Sequence, residues 1–94
     1  MQITELAKQH HTWVETKGWH NKSTLECLAL ITSEVGEAVN ECRGSKPTDN
    51  FKLELADIIL RVLDLAVVEG INIEEVILAK MELNLSKDTS GKLK

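Results

Sequence analysis

Residues 53–68 read LELADIILRVLDLAVV, and only Glu54, Asp57, Arg61 and Asp64 interrupt the apolar run. These four recur at steps of three, four and three, the spacing of one helix face. At about 100° per residue they occupy an arc of roughly 80°. An ordinary surface helix carries an apolar stripe on a polar background. Here the pattern is inverted. Such a helix is expected to be buried on most sides, with its carboxylates facing something specific.

Ninety-four residues are expected to make one domain spanning 1–94. So short a chain has little protein with which to cover an almost all-round apolar helix. The expected answer is a homo-oligomer whose interface uses the apolar remainder of residues 53–68. A net charge of -4 gives no basic footprint, so no nucleic-acid partner is expected. Cys27 and Cys42 fall fifteen positions apart on one expected helix, about 22 Å at 1.5 Å per residue. That is beyond disulfide reach. Reduced thiols and an N-terminus without a signal-type apolar run point to the cytoplasm. No segment reaches the ~20 uninterrupted apolar residues of a membrane span, so no membrane partner is expected.

The remaining pattern is helical throughout. Ile3, Leu6, Ala7, Trp13 and Val14 supply the apolar positions of a first helix, which Gly18 ends. Trp19-His20-Asn21 reads as a connecting loop. Ser23 with Glu26 three residues later forms a capping-box pattern, opening a second helix to about Cys42. Arg43 to Asp49 contains Gly44 and the sole proline, Pro47, and reads as a loop. A third helix runs to Glu69 with Gly70 at C′. Asn72 caps a fourth, aided by Glu74 and Glu75 at its positive end, running to about Leu85. From about residue 86 the chain becomes a polar tail. No alternating strand pattern occurs, and the fold class is all-α, a four-to-five-helix bundle.

The second helix repeats the acidic theme. Glu34, Glu37 and Glu41 lie at steps of three and four, while Leu25, Leu28, Thr32, Val35, Val39 and Cys42 form the expected packing stripe. Gly36, with Ala29 nearby, is expected to let another backbone approach closely. Helices two and three thus each present a carboxylate pair one turn apart, Glu34/Glu37 and Glu54/Asp57. A short loop makes them antiparallel neighbours. If the pairs face each other, four like charges need compensation. A hard divalent cation supplies it through all-oxygen ligands. Di-iron bundles use Glu-x-x-His pairs, and no histidine lies on either helix, which favours Mg²⁺, with Mn²⁺ as the alternative. The competing reading is a solvated acidic face, with Arg61 paired to Asp57 or Asp64 along its own helix.

Glu34-Val-Gly-Glu37, sixteen residues, then Glu54-Leu-Ala-Asp57 resembles the ExxE…ExxD signature of the MazG-like all-α nucleotide pyrophosphohydrolases. The flanks 30–38 and 54–66 resemble that family's two metal helices. Lys80-Met-Glu-Leu-Asn84 resembles its Lys-Met-x-x-Asn segment, so the likeness covers roughly residues 25 to 87. The resemblance implies cleavage of nucleoside or deoxynucleoside triphosphates between the α- and β-phosphates, giving a monophosphate and pyrophosphate in nucleotide-pool house-cleaning. It implies Mg²⁺ on Glu34, Glu37, Glu54 and Asp57, the catalytic and metal-binding set, in a dimer or tetramer. Lys80 and Asn84 would contact the triphosphate. The dCTP-preferring branch uses a histidine and a tryptophan nine residues apart for the base; His10 and Trp19 match, with His11 and Trp13 as rivals. Where relatives carry an arginine after the asparagine, this chain has Lys87, which meets phosphate as a point charge without a bidentate fork. Arg61 joins the same substrate-binding set. Glu41 reads as an ordinary surface glutamate more than as an extra ligand.

The chemistry suits these residues. A triphosphate and an acidic site repel each other, and cations bridging carboxylate and phosphate oxygens reverse that. A second class remains open: a non-catalytic helical oligomerisation or regulatory module with a degenerate metal site. The completeness of both acidic pairs favours the enzyme.

Overall fold

The computed structural model describes residues 2–88. Four helices follow in order: α1 (Gln2–Thr16), α2 (Thr24–Asn40), α3 (Phe51–Val68) and α4 (Ile73–Asp88). Among the described residues there is no strand, as an all-α chain requires. The fourth helix continues three residues past its expected end at Leu85. The rest of the polar tail, with Lys92 and Lys94, lies outside the described residues.

Local chemistry sets the boundaries. The Ser23 side chain accepts from the Glu26 amide at 3.1 Å, and Glu26 accepts from the Ser23 amide at 2.8 Å, so the capping box is complete. Those bonds favour the charged form of Glu26 and hold its pKa below the ordinary value. Asn72 accepts from the Glu75 amide at 3.2 Å and caps α4. Gly18 and Gly70 adopt positive φ, +68° and +71°, and each stands at C′ of a Schellman turn. Ile71 N–H reaches back to Ala66 C=O at 2.8 Å, and Trp19 N–H to Val14 C=O at 3.4 Å. The first of these turns folds Trp19 and His20 back over the end of α1.

Glu74 does more than support its own helix. It is buried and accepts from the Thr4 amide and hydroxyl, both at 3.3 Å. Thr4 lies in the first turn of α1, where amides have no intrahelical partner. A carboxylate from α4 thus caps α1 and complements its dipole.

The architecture hangs on α3. Helices α1 and α2 both pack on it without touching one another, and α4 touches α1 and α3 but not α2. The gap between α1 and α2 is therefore a cleft floored by α3. The face of α2 turned toward α3 carries Cys27, Leu30, Ile31, Glu34 and Ala38. This corrects the expected packing stripe: Leu25 (76% exposed), Leu28, Val35 and Val39 face outward. The central helix is also less covered than its pattern predicts, since Leu53, Leu55, Ile59 and Val62 stay exposed. Among the described residues the buried apolar set is small, comprising Ala7, Val14, Ala38, Leu63 and Ala66. A Cβ added at Gly36 would meet nothing within 4 Å, so the expected close backbone approach is not made within this chain. Both cysteines are free thiols. Among the described residues no helix is long and apolar enough to cross a membrane.

Gly70→Ala forces an L side chain into the left-handed region at the α3–α4 turn. We expect a loss of about 1 kcal/mol in chemical denaturation. An unchanged midpoint would show that this turn does not set the α3–α4 geometry.

Candidate active site

The cleft between α1 and α2 encloses about 540 Å³. Residues on its floor follow one face of α3 from Asp57 through Arg61, Asp64 and Leu65 to Val68. Glu34 enters from α2, and His10 and Trp13 from α1. Trp19, His20 and Lys22 of the α1–α2 loop close the end nearest Val68. Along α3, the seven residues from Asp57 to Asp64 separate an acidic end from an aromatic end by roughly 10 Å.

At the acidic end the two expected pairs come together. Carboxylate oxygens of Glu34, Glu54 and Asp57 lie within 4.8 Å of one another. Glu37, exposed beside them, feels all three. Its pKa is raised, first by the negative charge of Glu34, then by that of Glu54, then by desolvation, a hydrogen bond with Glu34 and the charge of Asp57. Four carboxylates therefore converge, as the spacing predicts. An acid whose folded pKa is raised holds its proton longer when folded than when unfolded. The cation-free fold accordingly loses stability as pH rises from the ordinary glutamate value through the raised one.

Two contacts position the cluster. Arg61 Nε donates to Glu34 Oε2 at 3.3 Å, an ion pair between a half-exposed guanidinium and a nearly buried carboxylate. This differs from the pairing expected along α3, because α2 brings a buried charge closer than either acid on Arg61's own helix. Asn50 donates to Glu54 Oε2 at 3.0 Å. Glu41 stands outside the cluster: its backbone and side chain both bond Thr48, closing the α2–α3 loop.

The aromatic end gathers His10, Trp13 and Trp19. The His10 and Trp13 rings stack at 6.0 Å between centroids, and Trp13 meets Trp19 edge-on at 5.3 Å. Lys17 lies over Trp13 at 5.6 Å. Both indoles remain about half exposed, with their free surface on the cleft. The nine-residue match of His10 to Trp19 thus falls on one wall, and Trp13, the rival, lies between the two.

Lys80 and Asn84 do not line this cleft. They sit on α4, which makes no contact with α2 within the chain. Lys87 occupies the last turn of the same helix. The three substrate-binding residues expected on α4 are therefore not among those that line the cleft.

Sequence reasoning placed Asp64 on the charged stripe but missed its histidine partners. His20 Nε2 lies 2.8 and 2.9 Å from the two Asp64 oxygens, and His11 Nδ1 lies 3.1 Å from Oδ1. The two imidazoles stack at 4.5 Å. A signal existed: two histidines flanking the Gly18 turn, and a carboxylate on an apolar helix that Arg61 could serve only by leaving Asp57. Only the fold of that turn joins them.

Residues 22–84 match the family described as the MazG nucleotide pyrophosphohydrolase domain. A dATP/dGTP diphosphohydrolase of Cyanophage S-2L is 33% identical over 60 residues, 64% of this chain and 52% of that protein. The chain spans about half the length of that curated relative. No solved structure matches significantly. The matched span contains both acidic helices and the Lys80 to Asn84 segment, and the chain belongs to the MazG nucleotide pyrophosphohydrolase domain family.

Proposed function

We propose that this chain hydrolyses a nucleoside or deoxynucleoside triphosphate between its α- and β-phosphates, releasing the monophosphate and pyrophosphate, with Mg²⁺ as cofactor and Mn²⁺ as the alternative. The observation that carries this reading is the convergence of Glu34, Glu37, Glu54 and Asp57 at one end of a cleft whose other end is aromatic.

The donor set fits a hard divalent cation. It is all oxygen, it is crowded, and the nearby Arg61 offsets one charge of four. Oxygens of Glu34, Glu54 and Asp57 all lie within 4.8 Å of one another, near enough for a single cation to be shared by the three. When bound, the cation polarises phosphate oxygens and makes a coordinated water more acidic. The protein's own groups do the rest. Arg61 and Asn50 orient Glu34 and Glu54. Trp13 and Trp19 offer ring faces on which a base stacks. Leu30, Leu60 and Val68 keep the space between the two ends apolar. A carboxylate of the cluster takes the proton of the attacking water as the bridge to the β-phosphate breaks. Arg61, on the cleft floor beside the cluster, meets the phosphate charge. The cyanophage relative's name makes dATP and dGTP the first substrates to test, and the His10 and Trp19 spacing adds dCTP.

A homo-oligomer, dimer or tetramer, is part of this proposal. The outward apolar rows of α2, α3 and α4, ending at Leu85 (68% exposed), are the surface it would cover. A neighbouring copy is also the route by which Lys80, Asn84 and Lys87 would reach phosphates bound at the carboxylates.

Purified protein with Mg²⁺ should release pyrophosphate from at least one member of a complete nucleotide panel. Glu37→Gln or Asp57→Asn should lower that turnover on the order of 100-fold or more. Glu37→Gln should also melt higher than the parent in chelator, because one of four repelling charges is gone. No turnover across the panel would rule out the enzyme and favour the non-catalytic module. Sedimentation at micromolar concentration should show a dimer or larger; a monomer would remove the proposed interface.

A further inference from the structure

A second cluster on the α1 wall has the donors of a different kind of metal. We propose that His11, Glu15 and His20 form a site for a borderline transition metal of the Zn²⁺ class, separate from the all-oxygen cluster and independent of the activity proposed above.

Asp64 sets the tautomers of both histidines. An ionised carboxylate only accepts hydrogen bonds. Its contacts with His11 Nδ1 at 3.1 Å and His20 Nε2 at 2.8 Å therefore place an N–H on each of those nitrogens. In the neutral rings, the lone pairs then sit on His11 Nε2 and His20 Nδ1. Both of these nitrogens face Glu15. His11 Nε2 lies 3.5 Å from Glu15 Oε1, and His20 Nδ1 lies 4.0 Å from Oε2. The two lone pairs run side by side from the stacked rings toward the Glu15 carboxylate, and a small turn of the rings toward each other lets one cation meet all three groups.

His20 Nδ1 sharpens the point. It is shielded from solvent and has no hydrogen-bond partner, although the other nitrogen of the same ring is doubly contacted by Asp64. Buried ring nitrogens are normally satisfied. One ligand atom from each of His11, Glu15 and His20 fits within 4.8 Å. Bonds of about 2.0–2.1 Å in a tetrahedron put neighbouring ligand atoms about 3.3 Å apart, close to the 3.5 and 4.0 Å seen.

Asp64 then plays the outer part that ligating histidines require, accepting from the second nitrogen of both rings and fixing tautomer and orientation. Two imidazoles and one carboxylate suit Zn²⁺, Co²⁺ or Ni²⁺ better than Mg²⁺. The charge also closes: Asp64 and Glu15 together balance a dication with both imidazoles neutral. Half-exposed Glu15 leaves a fourth position open to solvent. His11 and Glu15 are one helical turn apart on α1, and His20 arrives through the Gly18 turn. A metal there would tie the 17–23 loop to α1 and fix the wall that carries Trp13 and Trp19.

The test is a Co²⁺ titration of the full chain in excess Mg²⁺, read by the visible absorption of tetrahedral cobalt. One equivalent should bind, Zn²⁺ should displace it, and the band should persist in the Glu54→Gln/Asp57→Asn double variant. Glu15→Gln and His11→Gln, each checked for native helicity, should weaken binding at least tenfold. Zn²⁺ should also raise the melting midpoint of the parent but not of Glu15→Gln. Cobalt lost with the acidic pair, or bound unchanged after Glu15→Gln and His11→Gln, would overturn the assignment. So would imidazole nitrogen resonances showing both rings doubly protonated at neutral pH and unmoved by Zn²⁺, since protons would then be the cations between these groups.

Discussion

Helix α2 turns one carboxylate, Glu34, inward. Glu34 is only 9% exposed, at the surface shared with α3, and Glu37, Glu54 and Asp57 crowd around it. A buried carboxylate needs a partner, and among the described residues Arg61 is the positive group that contacts it. Everything else in the site depends on this contact. It sets how α2 lies on α3 and leaves the cluster short of positive charge. Such an arrangement costs stability unless a cation or a bound ligand repays it, as binding to the folded state alone does.

The same choice explains the thin core. Because the face of α2 that holds Glu34 packs on α3, Leu25, Leu28, Val35 and Val39 point outward. The floor helix likewise spends its covered surface on Leu63 and Ala66, while Leu53 and Ile59 stay uncovered. An inverted helix in a chain this short cannot both present a polar stripe to a cleft and hide the remaining circumference. Site and exposed apolar surface are thus two results of one constraint, which is why the proposed enzyme is also proposed to be an oligomer.

What the sequence made legible was local. The capping box at Ser23, the Asn72 cap, Gly70 at C′ and the loop at Pro47 each act within a few residues, and each is found where its chemistry predicts. The carboxylate pairs were legible because helical spacing places them on one face, and a short loop makes the two helices neighbours. The partner of Arg61 was not, since i,i+3 and i,i+4 rules see only one helix, and Glu34 comes from another. Nor was the side of α2 that packs: an apolar stripe says what avoids water, not whether this chain or another covers it. His20 looked like loop filler because its partner, Asp64, is 44 residues away. Lys80 and Asn84 show the reverse limit, since a motif gives their order along the chain without placing them in the cleft.

Carboxylates at the junction of α2 and α3 are proposed to hold a hard cation. Calorimetric titration of Mn²⁺ into the protein and into Glu54→Gln tests it. Saturable binding is predicted for the parent, with displacement by Mg²⁺ and a loss of at least about tenfold in affinity for the variant. Absence of binding at millimolar Mn²⁺, or equal binding by both proteins, would contradict it.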